Sequence, residues 1–133
     1  MDLPITSLLA GIFTLLMVPL SLQISISRAK IGGFSGGLTF GDGGDETLRR
    51  KIRAHGNFIE YAPMALIALG LVEYDGGEKT LVLGLASAFL ISRLLHAGGM
   101  LYTSTPFIRG IGMLIQHVAF VIVGGWLVLQ VAA

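Results

Sequence analysis

The sequence predicts an all-α membrane protein, a bundle of four transmembrane helices. Three observations carry that prediction. Charged residues make up only 13% of the 133-residue chain and apolar residues 53%, whereas a soluble domain carries about 25% charge. The mean hydropathy is +0.80. The charges are also clustered, so residues 3–27 and 110–133 contain none. A span needs about 20 apolar residues to cross a hydrocarbon core of roughly 30 Å. The same composition excludes a disordered chain and a nucleic-acid binder with a basic patch. With no cysteine, disulfides, thiolate metal sites and a cysteine nucleophile are excluded as well.

The first span is placed near residues 4–27. Pro4 suits a first helical turn, where its missing N–H costs nothing. The stretch has no basic leading region and no small-residue cleavage pattern. It therefore reads as a retained helix rather than a signal peptide.

The connection that follows holds seven glycines between Ile31 and Gly44. Glycine lets backbone N–H groups approach an anion, but no GxxxxGK[ST] pattern is present and no strand precedes it. A flexible loop is predicted. Asp45 or Thr47 is positioned to cap the next helix.

The second span is placed near 53–72. It is apolar except for Arg53, His55, Asn57 and Glu60. Arg53, Asn57, Glu60 and Met64 recur at spacings of four, three and four, which puts them on one helical face. Tyr61 follows Asn57 by four and shares that side. Pro63 removes one backbone hydrogen bond and can kink the helix.

The third span cannot stop at the charge-free run 80–92, because 13 residues rise only about 20 Å. It must continue through Arg93 to about residue 101, which gives about 33 Å. Arg93 then lies within the membrane. The fourth span is placed near 110–131. These runs do not alternate, so a β-barrel is not predicted. No stretch outside the spans is long or apolar enough for a second domain, and residues 1–133 read as one membrane domain.

Six of the nine basic residues fall in the first connection: Arg28, Lys30, Arg49, Arg50, Lys51 and Arg53. Arg93 and Arg109 flank the third. The second has one lysine against Glu73, Asp75 and Glu78. The positive-inside rule then puts loops 1 and 3 in the cytoplasm and both termini outside. Trp126, Tyr74 and Tyr102 suit the membrane interfaces.

A charge inside a bilayer costs at least about 2.5–3.5 kcal/mol on insertion scales. Glu60 lies about 10 Å into helix 2, and Arg93 about 12 Å from the matching end of helix 3. His96 lies near the level of Asn57. The simplest reading is a wet, charged pocket open to the cytoplasm. The plainer reading is a structural Glu60–Arg93 ion pair with Asn57 as interhelical glue. Polar groups outnumber what one pair needs, and arginine cannot neutralise itself by losing a proton. The three histidines lack metal-ligand spacing, so no metal is expected. His117, alone in helix 4 beside Gln116, reads as a satisfied core or interface residue.

The run RAHGNFIEYAPMAL resembles the signature of the MAPEG family, the membrane-associated proteins of eicosanoid and glutathione metabolism. That signature is an arginine, an asparagine four residues on, then Glu-Tyr-x-Pro. Here these are Arg53, Asn57, Glu60, Tyr61 and Pro63. GDGG and SRLLHAGG are similar to the family's small bacterial branch, and length and span number agree along the whole chain.

The resemblance implies a four-helix bundle assembling as a homotrimer in the bacterial inner membrane. It implies glutathione as co-substrate, bound in clefts between subunits near the cytoplasmic side. Membrane lipid and a lipophilic second substrate are the other expected partners. By family analogy Arg53, Asn57, Glu60 and Tyr61 contact the tripeptide, with Glu60 suited to its ammonium. His55, Arg28, Arg93 and His96 are further binding candidates. Arg109, at the start of helix 4, is the candidate for stabilising the thiolate, because relatives place an arginine near there. Arginines suit the two carboxylates of glutathione through bidentate bonds, and a thiolate needs a nearby positive charge. One departure stands out. Enzymatic relatives often carry tyrosines on helix 3 after the arginine, where this chain has His96 and Met100.

Two functions follow as expectations. One is a membrane glutathione transferase or peroxidase, whose thiolate attacks a lipophilic electrophile or hydroperoxide. The other is a membrane protein that binds glutathione or a lipid without chemistry. A channel or transporter would need polar residues along the whole bundle, and the outer half offers almost none.

Overall fold

The computed structural model describes residues 2–33, 38 and 40–132. Four helices follow one another: α1 Pro4–Gly32, α2 Glu46–Tyr74, α3 Lys79–Tyr102 and α4 Phe107–Ala132. No strand occurs among the described residues. The expectation of a flexible loop falls partly on residues 34–37 and 39, which lie outside them.

The helix ends are set by local chemistry. Pro4 opens α1, but no side chain of α1 caps it. Glu73 does so from α2. Its carboxylate accepts the backbone N–H of Ile5 at 3.0 Å and of Thr6 at 2.8 Å. Two of the four orphan donors of a helix start are thereby satisfied by a charge that the helix dipole favours. Asp45 is the N-cap of α2, accepting from the Leu48 N–H at 2.6 Å. Asp42 closes the preceding turn. It accepts the Gly44 N–H at 2.9 Å and pairs with Arg49 at 2.5 Å.

α1 and α2 are both longer than the predicted spans. α1 continues past residue 27 through Arg28 and Lys30, and α2 begins seven residues before Arg53. Their charged ends therefore continue as helix beyond the apolar runs. α1, α3 and α4 are each long and apolar enough to cross a membrane. α2 is as long as α1, at 29 residues, but its first turns carry Glu46, Arg49, Arg50, Lys51 and Arg53. Its apolar part begins only after Glu60.

The connections at 75–78 and 103–106 are four residues each, so neighbours pack antiparallel. α2 and α3 occupy the middle. Both touch α1 and α4, while α1 and α4 do not touch each other among the described residues. The core is small and built from Phe13, Phe58, Leu69, Val82, Phe89 and Val123. Phe13 meets Phe58 edge-on at 5.3 Å, and Phe89 meets Phe120 at 5.3 Å. Large apolar residues such as Leu15, Leu22, Leu114, Val121 and Leu129 face outward. An apolar outer surface of this extent suits hydrocarbon as solvent, not water.

Two glycines set how closely α3 and α4 approach. A Cβ on Gly112 would lie 2.7 Å from the Ser92 carbonyl oxygen and 2.8 Å from the His96 nitrogen. A Cβ on Gly99 would lie 2.6 Å from the Arg109 nitrogen. Small residues at membrane helix crossings permit such contact. Gly98, Gly110, Gly124 and Gly125 face open space instead.

Candidate functional site

The close approach of α3 and α4 opens a cleft at the loop 1/loop 3 end of the bundle. Its volume is about 510 Å³, and its polar lining comes from Arg53, Asn57, His96 and Arg109. Met100 and Met113 supply most of the rest, with Pro106 and Gly110 at the edge. Arg53 and Asn57 are one turn apart on α2, so their shared face delivers both. His96 and Met100 do the same on α3, and Arg109 and Met113 on α4. Each helix therefore contributes an i, i+4 pair.

No carboxylate lines the cleft, and two guanidinium groups do. The Arg109 Nη1 donates to the Met100 sulfur at 3.3 Å. Arg50 holds the floor. Its Nε donates to the Met100 carbonyl at 2.7 Å and its Nη2 to the Thr103 carbonyl. Those carbonyls belong to the end of α3, where a cation also complements the helix dipole.

Arg93 is buried, with 2% of its surface exposed. Its Nη1 donates to the Asn57 Oδ1 at 2.5 Å, and its Nη2 faces the Met113 sulfur at 3.7 Å. Its guanidinium carbon lies 5.1 Å from the centroid of the Tyr61 ring. A cation over an aromatic face gains electrostatic energy, more so when desolvated. The Glu60–Arg93 ion pair of the plainer reading does not form among the described residues. Glu60 is exposed and has no ion-pair partner, and among the described residues the ion pair is Arg49–Asp42. Depth along the helices is similar for Glu60 and Arg93, but Glu60 points away from the side where Asn57 and Tyr61 meet Arg93.

Arg28, His55 and Glu60 also lie outside the cleft lining. Arg28 donates to the Gly41 carbonyl at 3.3 Å and so ties α1 to loop 1. Tyr61 supports Arg93 and packs against His117 and Phe120. His117 is exposed, with its Nδ1 2.6 Å from the Met113 carbonyl. No cluster of metal-ligating residues occurs among the described residues.

Three participants carried no signal in the sequence, and Met100 was marked only by standing where enzymatic relatives often carry a tyrosine. Met113 sits in an apolar run. Arg50 is one of six basic residues around loop 1. Ser92 is buried beside Arg93 and bonds Gln116, also buried, at 2.5 Å. Only the helix-crossing geometry distinguishes them from their neighbours.

A second, apolar groove of about 270 Å³ runs between α1 and α3 at the same end of the bundle. Leu16, Leu20 and Gln23 form one side, Leu94, Gly98 and Tyr102 the other, and Arg93 its wall. Arg93 bonds Asn57, which lines the polar cleft. The Arg93–Asn57 hydrogen bond therefore links the lining of the groove to that of the cleft.

Comparison with known proteins places this arrangement. Over 62 residues the chain is 37% identical to the inner membrane protein YecN of Escherichia coli strain K12, and equally to its counterpart in strain O6:H1. The matched stretch is 47% of this chain and 47% of either relative, so the chain spans about half the length of the curated relatives it matches. The family model described as the MAPEG family matches residues 6–129. That match reaches into all four helices and includes every residue of the cleft, and the chain belongs to the MAPEG family.

Proposed function

We propose that the protein is a glutathione-dependent transferase or peroxidase of the bacterial inner membrane. Glutathione enters the cleft from the cytoplasm, and its thiolate attacks a lipophilic electrophile or hydroperoxide. The observation that carries this reading is the cleft's charge: two guanidinium groups, an amide and an imidazole, with no carboxylate among them. A tripeptide with two carboxylates and a thiol complements that lining. The volume falls within the roughly 300–1,000 Å³ of small-molecule sites.

The roles divide by position. Arg53 and Asn57 hold carboxylate and peptide groups. Arg109 stabilises the thiolate, and His96 hydrogen-bonds nearby. The lipophilic reactant arrives through the α1–α3 groove, whose wall residue Arg93 hydrogen-bonds Asn57 of the cleft lining. Much of the rate gain then comes from proximity and thiolate stabilisation. Arg28, His55 and Glu60 lie outside the cleft of one chain, and a homotrimer would let a neighbour's copies complete it. In that assembly an exposed Glu60 meets the ligand ammonium rather than lipid.

One observation favours binding without turnover. Met100 stands where enzymatic relatives often carry a tyrosine, so the cleft lacks a phenol beside Arg109. Calorimetric titration of glutathione into the detergent-solubilised protein, with Arg53→Ala as control, tests the shared premise. Saturable binding lost in the variant supports it, and assays with electrophiles then separate the two readings. No binding to a folded protein overturns the glutathione assignment.

A further inference from the structure

The two methionines of the cleft differ in setting from the other described methionines. Met17 and Met64 lie on the outer, apolar surfaces of α1 and α2, midway along each helix, with 40% and 57% of their surface exposed. In a membrane those surfaces meet hydrocarbon. Met100 and Met113 line the polar cleft instead. Each sulfur there lies beside a guanidinium: Met100 Sδ 3.3 Å from the Arg109 Nη1, and Met113 Sδ 3.7 Å from the Arg93 Nη2. The Asn57 Nδ2 also points at the Met113 sulfur at 3.6 Å.

A thioether is a weak acceptor for such donors. Its sulfur has two lone pairs, and a guanidinium N–H engages one. The other can attack a peroxide. Sulfoxidation would turn the weak acceptor into a strong one without moving the donor.

We propose that Met100 and Met113 are the peroxide-sensitive sites of this protein, oxidised to sulfoxides by a small polar hydroperoxide that enters the cleft. The sulfur lone pair attacks the distal peroxide oxygen and the O–O bond breaks. The new S–O bond takes that oxygen, and its proton passes to the departing alkoxide or hydroxide. Sulfur loses two electrons, and the hydroperoxide is reduced to an alcohol or water. The sulfoxide oxygen then accepts a charge-assisted N–H from Arg109 or Arg93. That guanidinium is occupied, and the cleft loses part of its hold on anions. Sulfoxides are reversible by the appropriate reductases, so the change is a switch rather than damage.

The modification itself does not depend on what the cleft binds. Its consequence for ligand rests on the glutathione reading, and the two parts are read separately. The folded, detergent-solubilised protein is treated with hydrogen peroxide, and peptide mass spectrometry follows oxygen uptake at each methionine. Uptake at Met100 and Met113 ahead of Met17 and Met64 is expected. Uptake at Met17 and Met64 as fast or faster overturns the proposal. Glutathione binding is then measured before and after oxidation. A weakening of about tenfold is expected, the scale of one lost charge-assisted hydrogen bond. The Met100→Leu/Met113→Leu double variant, whatever its own affinity, should bind equally before and after peroxide. Oxidation at both sulfurs with unchanged binding would overturn the switch. Absence of glutathione binding before oxidation would count against the functional reading alone, since the order of oxidation is measured independently of it.

Discussion

The Arg93 guanidinium donates to the Asn57 side-chain oxygen at 2.5 Å, joining α3 to α2 in the middle of the bundle. Arg93 is almost wholly buried, and no carboxylate answers its charge among the described residues. The Asn57 amide and the Tyr61 ring are what stabilise it. A hydrogen bond to a charged group contributes about 1.5–3 kcal/mol, and removing one partner leaves the other desolvated. Asn57→Ala should therefore lower the stability of the solubilised protein by about 2 kcal/mol. Thermal unfolding followed by Trp126 fluorescence reads this directly. An unchanged midpoint would mean that Arg93 finds water or lipid headgroups instead.

Glycine position offers a sharper test of the fold. Gly99 and Gly112 leave no room for a Cβ, which would fall within 2.8 Å of backbone atoms on the facing helix. Overpacking of this kind costs about 1–3 kcal/mol. Gly98 and Gly124 face open space on the same two helices, where alanine gains about 0.5–1 kcal/mol in helix propensity. Gly112→Ala and Gly99→Ala should lower the unfolding midpoint, and Gly98→Ala and Gly124→Ala should hold or raise it. Equal effects at all four positions would contradict the α3–α4 crossing described above.

These contrasts show what could be read before folding. Four helices were legible because charge-free runs longer than a bilayer crossing leave few alternatives. Their ends were less so. Arg28 and Lys30 continue α1 beyond its apolar run, and a hydropathy argument stops where that run stops. For the cleft, the shared face of Arg53 and Asn57 and the level of His96 agree with three of the residues that the cleft gathers. Glu60 did not follow: its spacing put it on the face of Arg53 and Asn57, but three residues on from Asn57 it is turned about 60° from it, away from Tyr61 and Arg93. A step of one residue turns the side chain by about 100°. Gly99 and Met113 left no mark, since the same residue types recur where nothing touches them.

Glu73 caps α1 from another helix, one residue beyond the predicted 53–72 span. Burial alone would raise its carboxyl pKa, but the hydrogen bonds from Thr6 and Ile5 outweigh burial and hold it below the usual range. A folded-state value lowered in this way adds stability above the unfolded pKa, near 4.3. That stability is lost as pH falls through the folded value. Glu73→Ala should cost about 1 kcal/mol at neutral pH, the scale of a lost N-cap. Wild type and variant should converge in acid. A gap between their unfolding midpoints that does not narrow as the pH falls below the unfolded carboxyl range would refute the charged cap.

Arg53 and Arg109 both line the cleft, but the proposed chemistry asks different things of them. In that proposal Arg53 would meet groups of glutathione that do not change during reaction. Its loss removes binding in ground state and transition state alike, so KM rises and kcat stays. In the same proposal Arg109 would face the thiol, whose charge develops only on activation. Removing a donor aimed at developing charge costs about 10²–10³ in kcat. Arg109→Ala should therefore lose kcat while glutathione still binds, and Arg53→Ala should lose binding with kcat retained at saturation. The thiolate absorbance of bound glutathione gives a second reading. Its apparent pKa should rise in Arg109→Ala and stay fixed in Arg53→Ala. Equal losses of kcat and thiolate signal in both variants would mean that the two guanidinium groups act as one anion clamp, with no assigned activator.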